Sequence, residues 1–384
     1  TGDPNLAHGE VNENSFQSYG VLVQHNQELG DKLTLRGGAS IDVSPASYWA
    51  NYIRIDRSDD GVYTGYEEFP DSVLTQYDVG LTNVAAYAQA EFLPIESLKL
   101  VAALRFDRFN YDYDNFLPET AFSGAPDEKN SFEALTPKLG LTYDLGKDKG
   151  VYANYSVGFV PPQVGELYRG VKVPVLKPAT YYNYEVGGWI ALPNQKGFFE
   201  LSAYRMDGTN EIISVQLDDG SRENRNAGET RHQGIEYTLK YELVEGLKAR
   251  ISGTNARHEF IDYVDNGNDY SNNQMNRAPQ FIGNAELSYY PTFIKGFRIA
   301  LEWQHMGNYY MDEANTKEYG GFDVFNLRLG YRVKQVEAWL NIMNLEDEVY
   351  AVNASKSRWG TSYSPGLPRT FQFGIAYQFS GKQK

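Results

Sequence analysis

The chain has 384 residues, no cysteine and a formal net charge of −15 at pH 7. Without cysteine it can build neither a disulfide framework nor a thiolate metal site. An acidic chain with no basic block also lacks the positive footprint that a nucleic-acid partner requires. Mean hydropathy is low despite 30 Tyr and 20 Phe, and no run reaches the roughly eighteen apolar residues of a membrane helix.

Short segments with large apolar residues at every second position recur along the whole chain. Because side chains alternate between the two faces of a strand, each segment has one apolar face and one polar or small face. The predicted strands, in chain order, are Ser15–Glu28, Leu33–Asp42, Val84–Phe92, Leu98–Asp107, Lys138–Leu145, Val151–Phe159, Tyr181–Leu192, Phe198–Ile213, Ile235–Leu243, a strand ending near Phe260, Ile282–Tyr290, Phe297–Gln304, Phe325–Val333, Val336–Ile342 and Phe371–Phe379.

Tight and long connections alternate between these roughly fifteen segments. The long connections are predicted at Ser44–Gly80, Tyr111–Asn130, Pro161–Ala179, Asp218–Gly228, Asp262–Asn276, Met311–Gly321 and Tyr350–Pro365. A bacterial outer-membrane barrel has short periplasmic turns and long external loops. A large soluble all-β protein such as a propeller is the alternative, but no short repeat period appears. The sequence therefore predicts an all-β chain folded as an antiparallel transmembrane β-barrel.

The order of the connections predicts a direction for each strand. The last strand follows a long loop, so it runs from outside towards the periplasm, and the first strand then does the same. Thr1–Asn14 would lie outside the cell. Because bacterial single-chain barrels have even strand numbers, an odd count with an external N-terminus predicts further strands upstream. Residues 1–384 are thus predicted to be the C-terminal part of a larger barrel protein.

Several short segments, in this order, resemble motifs of TonB-dependent outer-membrane receptors. The most specific is Asn226-Ala-Gly-Glu-Thr-Arg-His-Gln-Gly-Ile-Glu236, which is similar to Asn-x-Gly-x-x-Arg-x-x-Gly-x-Glu in that family. Ala179 stands where the family usually has Glu. The other segments are Phe159-Val-Pro-Pro-Gln-Val-Gly-Glu-Leu167, Leu176-Lys-Pro-Ala179 with Tyr184-Glu-Val-Gly187, Asn344-Leu-Glu-Asp-Glu-Val-Tyr350, Pro365-Gly-Leu-Pro-Arg369 and the terminal Phe379.

The resemblance implies that the chain forms about the last fifteen strands of a 22-stranded, plugged barrel. The plug domain and TonB box of the family have no counterpart in this sequence. The implied function is to bind a scarce nutrient chelate outside the cell and import it. A ferric siderophore is the first expectation, and cobalamin, haem or another large nutrient are the alternatives. A passive porin-like barrel is a competing class, which would have no plug-encoding segment upstream.

The resemblance also implies a set of partners and no covalent chemistry. The partners are outer-membrane lipid, the chelate, the TonB complex acting through the missing plug, and the barrel-assembly machinery, which is expected to read the strand closed by Phe379. The tail Ser380–Lys384 is expected to be dispensable for assembly. No cofactor and no enzymatic activity are expected.

Two external segments carry both aromatic and basic residues, and they are the candidate ligand-binding site. Aromatic faces and guanidinium groups suit a flat, anionic chelate, because Arg pairs oxygens bidentately and stacks on rings. The alternative is that these residues form a headgroup girdle or pack the loops on themselves. The candidates are Trp49, Tyr52, Arg54, Arg57 and Tyr63 in the first segment, and Tyr168, Arg169 and Lys172 in the second.

Other titratable residues predict no further site. The five histidines, His8, His25, His232, His258 and His305, lack metal-ligand spacing. Gly-x-Ser-x-Gly is absent, so nucleophilic catalysis has no support. The acidic clusters at 218–223 and 262–269 favour solvated loops over calcium sites.

The alternation also predicts which face of each strand meets lipid. The lipid-facing set is Leu239, Tyr241, Phe297, Leu301, Leu327, Leu329, Phe373 and Tyr377, and the lumen-facing set is Lys240, Arg298, Glu302, Arg328 and Gln372.

Overall fold

The structure is a computed structural model that describes residues 6–119, 123–170, 172–216, 222–265, 267–357 and 360–379. In this part of the chain the strands are β1 (Leu6–Phe16), β2 (Tyr19–Leu29), β3 (Leu33–Arg57), β4 (Tyr63–Ile95), β5 (Leu98–Asn115), β6 (Glu128–Gly146), β7 (Lys149–Val160), β8 (Ala179–Ala191), β9 (Gly197–Gln216), β10 (Arg222–Val244), β11 (Leu247–Asp262), β12 (Val264–Asp265), β13 (Asn268–Asp269), β14 (Phe281–Tyr289), β15 (Phe297–Met306), β16 (Tyr309–Tyr310), β17 (Glu318–Tyr319), β18 (Phe322–Val333), β19 (Val336–Met343), β20 (Ala351–Ser357), β21 (Gly360–Pro365) and β22 (Thr370–Tyr377).

Two short helices interrupt the strands. They are α1 (Val164–Tyr168), between β7 and β8, and a 3-10 turn (Pro193–Gln195), between β8 and β9. Among the described residues, no helix combines the length and apolarity needed to cross a membrane.

One antiparallel sheet of sixteen strands contains the long strands of the described residues, and from β3 onward each of them pairs with the next long strand along the chain. β1 and β2 both pair with β3, one after the other, at residues 46–56 and 33–43 respectively. They therefore act as one broken strand, and fifteen strands run across the sheet. The six short strands form three separate hairpins, β12–β13, β16–β17 and β20–β21. The predicted count of about fifteen crossing strands is confirmed.

Short turns lie at one end of the sheet and long connections at the other, as predicted. The tightest turns hold residues with a left-handed backbone, Gly246 at φ +79° between β10 and β11 and Lys334 at φ +54° between β18 and β19. A Cβ at Gly246 would also lie 2.3 Å from the carbonyl oxygen of Tyr290, so glycine fits there best. All three small hairpins lie in connections at the opposite end.

The prediction that Ser44–Gly80 is a long loop was wrong. β3 and β4 continue through this segment as paired strands, and only residues 58–62 turn between them. Residues 6–14, which the sequence placed before the first strand, are likewise part of β1, which pairs with the outer half of β3. Apolar alternation in this segment is confined to the short run Tyr52-Ile-Arg-Ile-Asp56, and tyrosines and charged residues interrupt it elsewhere. The sequence pattern therefore did not reveal strands of this length.

The sheet is apolar on its exposed face and polar on its buried face, the reverse of a soluble sheet. Three pairs of adjacent residues show this reversal, with exposed fractions of 45% and 7% for Leu201 and Ser202, 45% and 6% for Leu287 and Ser288, and 41% and 9% for Leu301 and Glu302. Exposed apolar surface on this scale marks contact with a lipid or a partner. The predicted orientation of Leu301 towards lipid and Glu302 towards the lumen is confirmed.

Cross-strand contacts hold both faces in register. Leu287, Leu301, Leu327, Ile342 and Phe371 follow one another across five strands of the apolar face. On the polar face, Arg328 Nε donates to Glu302 Oε1 at 2.6 Å, and Arg298 reaches Glu337 at 2.9 Å. In these contacts, charged groups on the lumen face are paired with groups of opposite charge, as their burial requires.

Motif residues at the C-terminal end make structural contacts. The Asn344 side chain donates to the carbonyls of Glu348 and Leu367, at 2.9 and 3.0 Å. Arg369 Nε donates to the carbonyl of Leu345 at 3.0 Å. These residues tie the last long connection to β19 and β22, which explains their place in the closing motif.

Candidate ligand-binding vestibule

The outer ends of β3, β4 and β5 carry a row of tyrosines on the lumen side. Tyr48 stacks on Tyr77 with ring centroids 5.4 Å apart, and Tyr77 contacts Tyr113 at 5.1 Å. Tyr113 in turn stacks on Tyr168 of α1 at 4.1 Å, with the ring planes 6° apart. Four rings from four elements therefore make one continuous wall. Offset stacking of this kind stabilises each pair beyond the area it buries.

Helix α1 is capped at its start and held against this wall at its end. Gln163 and Glu166 form a capping box at its start, which satisfies backbone N–H groups that the first turn leaves unpaired. The Tyr168 hydroxyl donates to Asn130 Oδ1 at 2.5 Å, and the Tyr168 carbonyl accepts from the N–H of Ala125 at 2.9 Å. Leu167 and Tyr168 are each only 1% exposed. The segment after β7 is thus a fixed part of the lumen wall.

The Asn226 motif anchors the chain that follows α1. The N–H of Lys177 donates to Asn226 Oδ1 at 2.7 Å, and Asn226 Nδ2 donates back to the Lys177 carbonyl at 2.8 Å. Asn226 Nδ2 also reaches the carbonyl of Asn210 at 2.6 Å. One amide side chain therefore joins β9, β10 and the long connection, a structural role that its motif position alone did not reveal.

A cavity of about 470 Å³ opens between the tyrosine wall, β1 and α1. We call it the vestibule. Its volume lies within the range of small-molecule sites. Its lining residues are Glu10, Tyr48, Tyr52, Leu74, Thr75, Tyr77, Tyr113, Ser123, Gly124, Val164, Gly165, Tyr168 and Arg169.

The vestibule brings together three of the eight predicted site residues, Tyr52, Tyr168 and Arg169. The other five lie outside its lining. Trp49 alternates with Tyr48 along β3 and so lies on the opposite face, and Lys172 is exposed beyond α1.

The remaining three candidates are engaged within the β3–β4 hairpin. Arg54 pairs with Glu67 at 2.7 Å. Arg57 Nε donates to the Gly61 carbonyl at 2.8 Å, and its guanidinium lies 5.5 Å from the ring centre of Tyr63. The contacts of these three residues fit the alternative prediction, in which the segment packs on itself.

Sequence reasoning missed the inner tyrosines of the vestibule. Tyr48, Tyr77 and Tyr113 lie in segments predicted to be long connections, and they meet because three strands pair far beyond the membrane. Composition was the signal in the sequence that could have pointed to the vestibule. One predicted connection holds many tyrosines: Tyr48, Tyr52, Tyr63, Tyr66 and Tyr77.

The vestibule offers neutral phenol donors and one cation. Burial raises the pKa of Tyr113 to about 12 and raises the pKa of Tyr77. Burial, and then the nearby Glu10 carboxylate, raise the pKa of Tyr48, while the Arg169 guanidinium opposes them. All these phenols stay protonated at neutral pH and can donate hydrogen bonds. Together with Arg169 they suit an anionic, partly aromatic ligand.

The fold defines an outer-membrane β-barrel, and the vestibule is a cavity at its long-loop end. A family model described as TonB dependent receptor-like, beta-barrel matches residues 3–345. The chain belongs to this family.

Similar proteins agree with that assignment. The probable TonB-dependent siderophore receptor PiuA of Acinetobacter baumannii is 25% identical over 279 residues, which cover 67% of this chain and 36% of that receptor. The ferric-pyoverdine M114 receptor PbuA of Pseudomonas sp. strain M114 is 24% identical over 320 residues, covering 79% and 37%. The unliganded ferric citrate transporter FecA shares the fold with a TM-score of 0.76 at 18% identity, over 96% of this chain and 55% of that one. The chain spans little more than a third of the two curated receptors.

Proposed function

We propose that this chain is the barrel portion of an outer-membrane receptor that binds a ferric siderophore in the vestibule and passes it inward. The observation that carries the proposal is the convergence of Tyr52, Tyr168 and Arg169, from two distant segments, on one cavity. Phenol hydroxyls and a guanidinium match the anionic oxygens of such a chelate, and tyrosine rings match its flat faces. The printed names of the similar receptors support the same ligand class.

Under this proposal the working protein is larger than the chain. β1 and β2 at one edge of the sheet, and β22 at the other, pair on one side only among the described residues. Val21, Leu22 and Val23 at the first edge are 62–66% exposed. Unpaired backbone is costly in a bilayer, so a membrane sheet must close. Further strands that close a 22-stranded barrel, and a plug within it, would complete the receptor.

The proposed mechanism involves binding and gated passage, with no bond made or broken. The chelate gains Coulomb energy at Arg169, and more so where the vestibule excludes water. Transport is driven by the inner-membrane TonB complex through the plug, and insertion of the barrel by the barrel-assembly machinery.

Growth on single iron sources tests the proposal. A strain that lacks this receptor should fail to grow on one ferric chelate from a panel of catecholate, hydroxamate and α-hydroxycarboxylate types, and a plasmid copy of the full receptor should restore growth. Restoration should require an intact TonB complex. Growth that is independent of TonB would favour a passive porin-like barrel. Loss of growth with haem as the iron source, or loss of cobalamin-dependent growth in a separate assay, would assign a different cargo.

A further inference from the structure

Two histidines meet on the lumen face, away from the vestibule. His232 on β10 and His258 on β11 are register partners in their hairpin. Their Nδ1 atoms lie 2.7 Å apart, and their ring centroids lie 5.0 Å apart. Neither residue lines the vestibule. The two histidines are equally far in sequence from Glu245, in the turn between β10 and β11. This tight turn therefore sets the register that pairs them.

A short hydrogen-bonded chain favours one tautomer of His232. The Thr230 hydroxyl, in a residue only 2% exposed, lies 2.5 Å from Glu211 Oε1 and 3.3 Å from His232 Nε2. When the Thr230 hydroxyl donates a hydrogen bond to the Glu211 carboxylate, the hydroxyl oxygen can accept a hydrogen bond from the N–H at His232 Nε2. His232 Nδ1 is then unprotonated and accepts a hydrogen bond from His258 Nδ1. A nitrogen lone pair is therefore aimed at the space between the rings.

This arrangement is close to half of a metal-coordination sphere. Two nitrogens bound at 2.0–2.1 Å to a tetrahedral ion lie about 3.3 Å apart. Opening the observed pair by about 0.6 Å, with the His258 proton moved to Nε2, would admit the ion. The Glu211–Thr230 chain resembles the outer-shell partners that hold metal-ligating imidazoles in place.

Two further features favour a metal over a simple hydrogen bond. Met206 on β9 is the register partner of His232 on the same face, so its thioether is within reach of the pair. His232 lies above the apolar belt, because its neighbours on the outward face are Arg231 and Gln233.

We propose that His232 and His258 bind a divalent first-row transition-metal ion, with Met206 as a third donor and solvent or a small exogenous ligand completing the sphere. In the part of the chain that the structure describes, no three His, Cys, Asp or Glu residues cluster for a metal, so these extra donors are required. Nitrogen and thioether ligands, together with the general affinity order of divalent ions, place Cu²⁺ first. The site stands apart from chelate binding in the vestibule.

Titration of the purified full-length receptor with Co²⁺, followed by visible absorption, and competition with Cu²⁺ test the site. Wild type should bind one equivalent, His232→Gln and His258→Gln should lose binding, and Thr230→Val should weaken it by about 10–100-fold. His305→Gln is the matched control, because His305 pairs with Asp323 on the outward face at 2.9 Å. It should bind like wild type.

Heat-modifiable migration on gels shows whether each variant has formed its barrel. Absence of Co²⁺ and Cu²⁺ binding in a folded wild-type receptor would overturn the site, as would unchanged binding in either folded histidine variant. Equal loss in His305→Gln would show binding that is not specific to the pair. Titration of the same preparations with the ferric chelate shows separately whether the vestibule binds. Failure of the metal site can therefore be told apart from failure of the proposed function.

Discussion

The ring of Tyr113 on β5 stacks face to face on the ring of Tyr168 in α1, with centroids 4.1 Å apart. This contact joins a barrel strand to the connection that follows β7, two elements far apart in the chain. It closes the inner wall of the vestibule and places Arg169, the next residue after Tyr168, at the cavity. This aromatic pair, together with the hydrogen bonds of Tyr168, therefore sets the position of the proposed binding cation.

Replacing Tyr168 with Ala should loosen α1. Removing a ring that is 1% exposed costs the order of 3–5 kcal/mol locally. Hydrogen–deuterium exchange should show loss of protection across α1 and the segment around Ala125, while the distant β14–β15 hairpin stays protected. Tyr66→Ala is the control, because Tyr66 is 64% exposed and should leave exchange unchanged. Retained protection of α1 in the Tyr168 variant would show that the stack does not hold it.

Replacing Leu301 with Arg should destabilise the barrel by about 2–4 kcal/mol, because the side chain faces lipid near mid-strand. Urea unfolding in lipid vesicles measures the effect. Val352→Arg is the matched control: Val352 is 55% exposed in β20 of an external hairpin and should tolerate the charge. Equal stability of the Leu301 variant and wild type would mean that the assigned faces are reversed.

Asp312 should make the external hairpins sensitive to acid. Burial by itself would raise the pKa of Asp312, but hydrogen bonds from Thr316 and Lys356 outweigh it and hold the pKa below 3.8. A carboxylate with a lowered folded pKa stabilises the structure above its unfolded pKa, and that contribution is lost as pH falls through the folded value. Exchange protection of β16–β17 and β20 should persist at pH 5 and fall below about pH 4.

Asp312→Asn separates the charge from the fold around it. The variant should lose protection in the same hairpins already at pH 7, with the barrel strands unaffected. Protection that falls equally with pH in wild type and in the Asn variant would assign the acid effect to another group.

The last strand should be required for assembly. β22 pairs with β19 through eight residues and exposes Phe371, Phe373 and Ile375 by 65–71%. Deleting Phe371–Phe379 should abolish outer-membrane insertion, measured by membrane fractionation and heat modifiability. Deleting Ser380–Lys384, which lies outside the described residues, should leave insertion intact. Normal insertion of the first deletion would refute the assignment of this strand as the assembly signal.

Alternation in the sequence was sufficient to predict the strands within the membrane. There, lipid selects apolar residues such as Leu301 and the lumen selects charged ones such as Glu302 and Arg328. The same reasoning failed outside the membrane, where β3 and β4 continue as a hairpin whose alternation is too short and interrupted to reveal it. α1 was also missed, because five residues including Gly165 carry no helical period.

The candidate site was only partly predictable for the same physical reason. Composition pointed to the correct segments, but Tyr52 and Arg54, two positions apart, have different partners, the cavity for one and Glu67 for the other. That difference is decided by the strand pairing beyond the membrane and by the packing of α1 against the strands. Both are tertiary contacts, which the local sequence does not reveal. The His232–His258 pair could have been predicted from the sequence, because the two residues are equally far from Glu245 in the short turn and so pair across the hairpin.

The central claim is that the vestibule is the chelate-binding site, and titration of two arginine variants tests it most directly. Arg169 lines the cavity, whereas Arg57 is held at the hairpin tip by the Gly61 carbonyl. Arg169→Ala in the full-length receptor should weaken binding of the growth-supporting ferric chelate by about 10–100-fold, the loss of one charge-assisted contact. Arg57→Ala should bind like wild type, and both variants should form heat-modifiable barrels. Unchanged affinity of Arg169→Ala, or equal losses in the two variants, would contradict the assignment.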